Sequence, residues 1–205
     1  MTAYRRDRTH PQKAPRSADR PAAHDHTVHF YDEREAMIEA ASAFLAGSLL
    51  RGGPALVITG SDRREAMLGR MVQMGVAVDE ALAGGQLVMH ESETILQQIV
   101  QDDVLDNARF REVIGPQVAM LTEAFAPRRL AAFGDMVDLL YAQDRKETAV
   151  ALEVQWNAIA SEYDFALHCA YDGRRMAKSN DRDAFDAICA QHHSIIPTRV
   201  PLPNP

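Results

Sequence analysis

Apolar positions along the chain follow two rhythms that take turns. Thr27 to Tyr31 (TVHFY) is a short β-prone run, and after it Met37, Ala41, Phe44, Leu45 and Leu49 recur at the spacing of one helical face. Asp32 with Glu35 three residues on has the form of a capping box for that helix. Gly52-Gly53-Pro54 ends it. Ala55 to Thr59 (ALVIT) is then continuously apolar, as a strand buried on both faces would be. Ser61 or Asp62 is placed to cap a second helix with the stripe Met67, Leu68, Met71 and Val72, and Gly84-Gly85 leads into another short strand, QLVMH.

The alternation continues in the second half. A helix from Ser92 carries Ile95, Leu96 and Ile99, and a longer one runs from Asn107 through Phe125, where Pro116 is expected to kink or split it. Leu130 to Phe133 (LAAF) reads as a strand ending at Gly134-Asp135, and Met136 to Ala142 as a short helix. Asp144 and Glu147 form a second capping-box pattern before a helix with Leu152, Trp156, Ile159 and Ala160. Phe165 to Tyr171 (FALHCAY) is the last evident strand, and a terminal helix holds Phe185, Ile188, Cys189 and His192. Short buried strands separated by longer helices predict an α/β fold of three layers, a mostly parallel central sheet with helices on both faces. No internal repeat is evident.

Composition adds boundaries. The 205 residues are 46% hydrophobic and 25% charged, enough for one domain with a substantial core. Residues 1–24 hold Arg5, Arg6, Arg8, Lys13, Arg16 and Arg20 against Asp7 and Asp19; that net of +4 within a total of −7 leaves −11 on the rest. With three prolines and few large apolar residues, this arm is expected to be disordered; residues 25–197 form the domain, and 198–205 a Pro-rich tail. An acidic body argues against direct nucleic-acid binding. No apolar run approaches the ~20 residues of a membrane span, and no signal-peptide pattern opens the chain. With only Cys169 and Cys189, both expected as reduced thiols, the cytoplasm is the expected compartment.

The stretch from Phe44 to Glu91 (FLAGSLLRGGPALVITGSDRREAMLGRMVQMGVAVDEALAGGQLVMHE) resembles the RecA-like circadian-clock ATPases. Those enzymes run from their first strand into GxxxxGK[ST], whose backbone N–H groups and Lys hold phosphates. Here the corresponding segment, Tyr31-Asp32-Glu33-Arg34-Glu35, has no Gly, no Lys and three carboxylates. The combination more specifically resembles the MEDS domain, a sensory domain of methanogen and methylotroph regulators. The resemblance rests on HTVHFYDERE (26–35), AFGDMVDLLYAQ (132–143), ALEVQWNAIA (151–160), FALHCAY (165–171) and FDAICAQHHSIIP (185–197), together with the segment above. It implies a RecA-like fold with a lost P-loop and a sensory role, here as a stand-alone sensor or adaptor.

Ligands of open α/β sheets sit beyond the carboxyl ends of the strands. That rule points to Tyr31 and Asp32, Thr59 to Asp62, His90 and Glu91, Gly134 and Asp135, and Tyr171 and Asp172. Trp156 and Glu153, three residues apart on one helix, are expected to border the same crevice as part of an apolar, aromatic-edged pocket. Glu153 lies beside an apolar stripe and needs a partner, for which Arg129 and His168 are the candidates. The competing reading makes Trp156 a core anchor and Asp32 an N-cap.

A metal is set aside. Cys189 and His192 are spaced i, i+3, and His24, His26, His29, His168 and His193 are further donors, but the closely spaced pairs of a zinc motif are missing. No G-x-S-x-G, H-E-x-x-H or dinucleotide glycine fingerprint occurs, so neither an enzyme nor a cofactor is expected. The expected role is binding a small, apolar or organic ligand and relaying it to a signalling protein such as a histidine kinase or transcription regulator, with a homodimer as one arrangement. A protein-interaction adaptor and a residual nucleotide enzyme are the rivals.

Overall fold

A computed structural model describes residues 25–179 and 181–197. The expectations for the arm, 1–24, and the tail, 198–205, lie outside the described residues. Strands β1 (His26–Tyr31), β2 (Ala55–Thr59), β3 (Leu87–Glu91), β6 (Leu130–Gly134), β7 (Phe165–Asp172) and β8 (Ser194–Ile196) form one sheet in the order β3-β2-β6-β7-β1-β8. Every pairing in it is parallel. A separate antiparallel hairpin joins β4 (Val100–Gln101) to β5 (Val104–Leu105).

The three predicted layers are present. Helices α1 (Arg34–Leu49), α2 (Ser61–Gln73) and α3 (Val78–Ala83) cover one face. The other is covered by α4 (Ser92–Ile99), α5 (Asn107–Ala124), α6 (Met136–Ala142), α7 (Lys146–Glu162) and α9 (Arg182–Ala190), with α8 (Gly173–Ser179) packing its Met176 into the same core. Period-2 alternation assigns the side chains. Val28, Phe30, Leu56, Ile58, Ala132, Leu167, Cys169 and Tyr171 face α4–α7, while Tyr31, Val57, Ala131, Phe133 and Ala170 face α1–α3. All five residues of β2 and of β6 are buried, the physical reason both read as unbroken apolar runs.

Several local expectations are corrected. Asp32 and Glu35 form no capping box: α1 starts one residue later, on Glu33, whose carbonyl accepts from the amides of Ala36 and Met37. The cap of α2 is Gly60, not Ser61 or Asp62. Asp144 does not cap α7 either; it adopts φ 60°, Arg145 takes the cap position, and the Asp144 carboxylate pairs with Lys146 at 3.2 Å. Side-chain caps occur instead at Asp106 on α5 and Asp181 on α9. Pro116 does not split α5. It lies on the exposed side, so the carbonyl it leaves unpaired faces water, while Phe110, Ile114, Val118 and Leu121 anchor the opposite side.

Candidate functional site

Two polar clusters contact β7, one at the carboxyl ends of the strands and one beneath α7. The first lies in the crevice beyond β1, β2, β6 and β7. Asp135, directly after β6, is 2% exposed and accepts hydrogen bonds from Thr59 Oγ1 (2.6 Å), Ser92 Oγ (2.7 Å) and Arg63 Nη1 (2.9 Å). One turn along α6, Asp138 accepts from the Tyr31 hydroxyl (2.7 Å) and the Asp172 amide (2.9 Å). Arg63 spans both carboxylates, reaching Asp138 at 3.5 Å, and its guanidinium lies 5.9 Å from the Tyr31 ring centroid.

Burial pushes the Asp138 carboxyl above its ordinary range, against the Asp172 amide, Tyr31 and the two arginines Arg175 and Arg63, which act the other way. Burial and Asp138 likewise raise the Tyr31 hydroxyl. A cleft of about 190 Å³ opens here, lined by Gly60, Asp62, Arg63, Glu93, Asp135, Asp138, Leu139, Ala142 and Arg175.

The second cluster is sealed beneath α7. Glu153 is 0% exposed and accepts from the Tyr171 hydroxyl at 3.0 Å and the Cys169 thiol at 3.3 Å. His26 Nε2 lies 3.3 Å from both Glu153 Oε2 and Cys169 Sγ, and His192 Nε2 lies 3.5 Å from Glu153 Oε1. The two imidazole centroids are 4.0 Å apart. Burial alone would raise Glu153, but His192 and His26 outweigh it and hold the carboxyl below the usual carboxylate range. Burial and Glu153 together push the Cys169 thiol and the Tyr171 hydroxyl well up.

The expected site residues therefore divide. Tyr31 and Asp135 meet in the crevice, joined by Asp138 and Arg63, which the sequence reading did not single out. Asp32 sits half-buried in the turn after β1. Glu153 and Tyr171 meet under α7, but neither expected partner of Glu153 is there. Arg129 lies at the opposite end of the strands, bound to Asp25 (2.6 Å), Asp164 (2.8 Å) and the Phe165 carbonyl (3.3 Å). His168 points to the α1 side of the sheet, against Phe44, His29 and Phe133, and burial lowers its pKa to about 3.

Trp156 is a core anchor, packed on Phe110 and Phe165, and does not line the cleft. The crevice is accordingly polar rather than apolar and aromatic-edged. Cys189 and His192, spaced i, i+3 in the sequence, do not share a helix: α9 ends at Ala190, His192 turns in toward Glu153, and Cys189 packs against the core. The missed signal was β-alternation: His26 shares the face of Val28 and Phe30, and that face of the neighbouring strand carries Cys169.

A parallel sheet whose strand ends converge on a polar cleft defines a three-layer α/β domain of the strand-end-site type. The chain belongs to the MEDS family: the model of the MEthanogen/methylotroph, DcmR Sensory domain matches residues 25–192. It is a sensory domain. Among solved structures, the uncharacterized protein PH0321 from Pyrococcus horikoshii, crystallised with an unknown peptide, is similar with a TM-score of 0.60 and 11% identity. That similarity covers 84% of this chain and 76% of that one, and shows the fold. No curated protein matches the sequence. Among the described residues no helix is long and apolar enough to cross a membrane.

Proposed function

We propose that this domain is a non-catalytic cytoplasmic sensor that binds a small organic ligand in the strand-end crevice and relays occupancy to a signalling protein. The observation that carries the reading is the pair of buried carboxylates, Asp135 and Asp138, held by one shared arginine at the wall of an open cleft. Buried charges are costly unless paired, and a set grouped at the strand ends is where α/β domains place ligand contacts. Asp62, Glu93, Asp135 and Asp138 outnumber Arg63 and Arg175 around the cleft, so it favours a neutral hydrogen-bonding or cationic molecule over an anion.

The turn from β1 to α1 supports the loss of a phosphate loop. It is only Asp32 and Glu33, with Glu35 just beyond, and has no glycine to bring backbone amides around a phosphate. The relay would run through α6, which follows directly on Asp135 at its cap position, contributes Asp138, Leu139 and Ala142 to the cleft, and packs along α7. A histidine kinase or transcription regulator is the partner class that fits a sensor, in a monomeric or homodimeric arrangement.

The adaptor reading draws on β8, an edge strand on which Ile195 and Ile196 are exposed. A thermal-shift panel of small neutral, cationic and anionic organic molecules separates the two. The sensor reading expects neutral or cationic compounds to raise the wild-type melting temperature and to lose that effect in Asp138→Asn. No stabilising compound in the panel, or stabilisation that Asp138→Asn leaves intact, favours the adaptor.

A further inference from the structure

The cluster beneath α7 is not needed by the crevice reading, and its geometry is unusual for a purely structural network. The His192 ring is 0% exposed, and its Nδ1 donates to the Ile188 carbonyl at 2.7 Å. A carbonyl only accepts, so Nδ1 carries a proton and Nε2 is the ring nitrogen turned toward Glu153. That Nε2 is buried and makes no hydrogen bond.

His26 is held in the same way. Asn157 Nδ2 donates to the Gln191 carbonyl at 2.9 Å, which fixes the amide and leaves its Oδ1 to accept from His26 Nδ1, also at 2.9 Å. Both imidazoles thus turn Nε2 toward a carboxylate, and that junction needs a positive charge, either a proton on an imidazole or a metal ion shared by all the donors. Outer partners that lock the remote ring nitrogen are the usual companions of metal-ligating histidines.

The four donor atoms, one each from His26, Glu153, Cys169 and His192, all lie within 4.8 Å of one another. Their closest separations are 3.3 Å for His26–Glu153, His26–Cys169 and Cys169–Glu153. Zinc–ligand bonds of about 2.0–2.3 Å place the corners of a tetrahedron about 3.3–3.8 Å apart. Two neutral imidazoles, one carboxylate and one thiolate carry −2, which a divalent cation neutralises in a place where water cannot. Such a cation would also reverse the local preference for a protonated thiol.

We propose that His26 Nε2, His192 Nε2, Cys169 Sγ and Glu153 Oε2 form a tetrahedral site for a divalent, borderline-soft metal ion of the Zn²⁺ class. The donors come from β1, α7, β7 and the turn after α9, so the ion would tie the chain's last segment to its first strand. Tyr171 donates to the second oxygen of Glu153, and the next residue, Asp172, donates its amide to Asp138. Consecutive residues of β7 therefore link this site to the crevice.

The test uses the full chain without a polyhistidine tag, stripped with a chelator and titrated with Co²⁺ as the spectroscopic probe. One equivalent should bind, with intense tetrahedral visible bands and a thiolate-to-cobalt charge-transfer band, and Zn²⁺ should displace it. Cys169→Ser should abolish the charge-transfer band, and Cys189→Ser should leave it unchanged. His192→Gln, which alters only a residue beyond the last helix, should weaken Co²⁺ binding at least tenfold in protein that circular dichroism shows to be folded. Asn157→Leu, which removes no ligand, should weaken it about 10- to 100-fold. Folded wild-type protein that binds no stoichiometric cobalt overturns the proposal. So does a cobalt spectrum indifferent to both Cys169→Ser and His192→Gln.

Discussion

Asp135→Ala is the sharpest perturbation of the crevice, because the three donors that Asp135 satisfies differ in their access to water. Thr59 and Ser92 are each 1% exposed, so their hydroxyls are trapped once the carboxylate is gone. Arg63 keeps 22% side-chain exposure and can swing outward. Each stranded buried donor costs about 1–3 kcal/mol, and the lost ion pair adds less because one partner recovers solvent. The sum is a loss of about 3–5 kcal/mol. Asp135→Asn keeps one acceptor oxygen but turns an NH₂ toward a donor, and should lose roughly half as much.

At about 2–4 °C per kcal/mol for a chain of this length, Asp135→Ala should melt on the order of 10 °C below wild type. Urea unfolding is followed by the fluorescence of Trp156, the one tryptophan in the chain and 2% exposed. The midpoint should fall with an unchanged slope. A loss under about 1 kcal/mol for Ala, or equal losses for Ala and Asn, would refute the claim that the hydroxyls are trapped and the network is tightly held.

Trp156→Phe should cost about 2 kcal/mol by shrinking a ring packed against Phe110 and Phe165, and it should leave ligand stabilisation in the crevice unchanged; a lost response would place Trp156 at the site after all. His29, facing His168 and Asp32, is held below its ordinary pKa of 6.5 chiefly by burial, so below that pH the unfolded chain takes up a proton that the fold refuses. Stability should therefore fall as pH drops from 6.5, and His29→Gln should lessen the fall between pH 7 and 5; urea midpoints with identical pH dependence contradict this. Burial and Asp186 push the half-buried Cys189 thiol up to about 11, and Cys169 is sealed, so native labelling should be slow at both cysteines and become fast only on unfolding; rapid native labelling of either would point to a redox-reactive thiol.

The fold was legible wherever burial wrote a long enough pattern. ALVIT and LAAF are unbroken apolar runs because β2 and β6 are covered on both faces, and Met136–Ala142 emerged with its observed limits. β8 was invisible because its three residues are all exposed and pair only with β1. The β4–β5 hairpin turns on Asp102 and Asp103 at φ 47° and 64°, without the Gly or Asn that marks such turns in sequence. Capping patterns misled at Asp32 and Asp144 because each helix takes its cap one residue later, at Glu33 and Arg145.

For the sites, Glu153 was recognisable as an oddity among apolar neighbours. Its partners were not, since His26 and His192 approach it from the first strand and from beyond the last helix. Arg63 was hidden for a similar reason. It is an ordinary helix residue by pattern, and only the placement of β6 beside β2 brings Asp135 to it.

The central claim is that the strand-end crevice of this sensory domain holds a small neutral or cationic organic molecule. Native mass spectrometry of the purified full chain, followed by release and identification of whatever it retains, tests that most directly when wild type and Asp138→Asn are compared. Asn has nearly the shape of Asp138, and burial already disfavours the charge of the native carboxylate, so the variant should stay folded while losing the charge and one of the two acceptor oxygens. The account predicts a neutral or cationic adduct on wild type that is lost from Asp138→Asn. An adduct retained equally by both proteins, or a retained nucleotide or other organic anion, would contradict it.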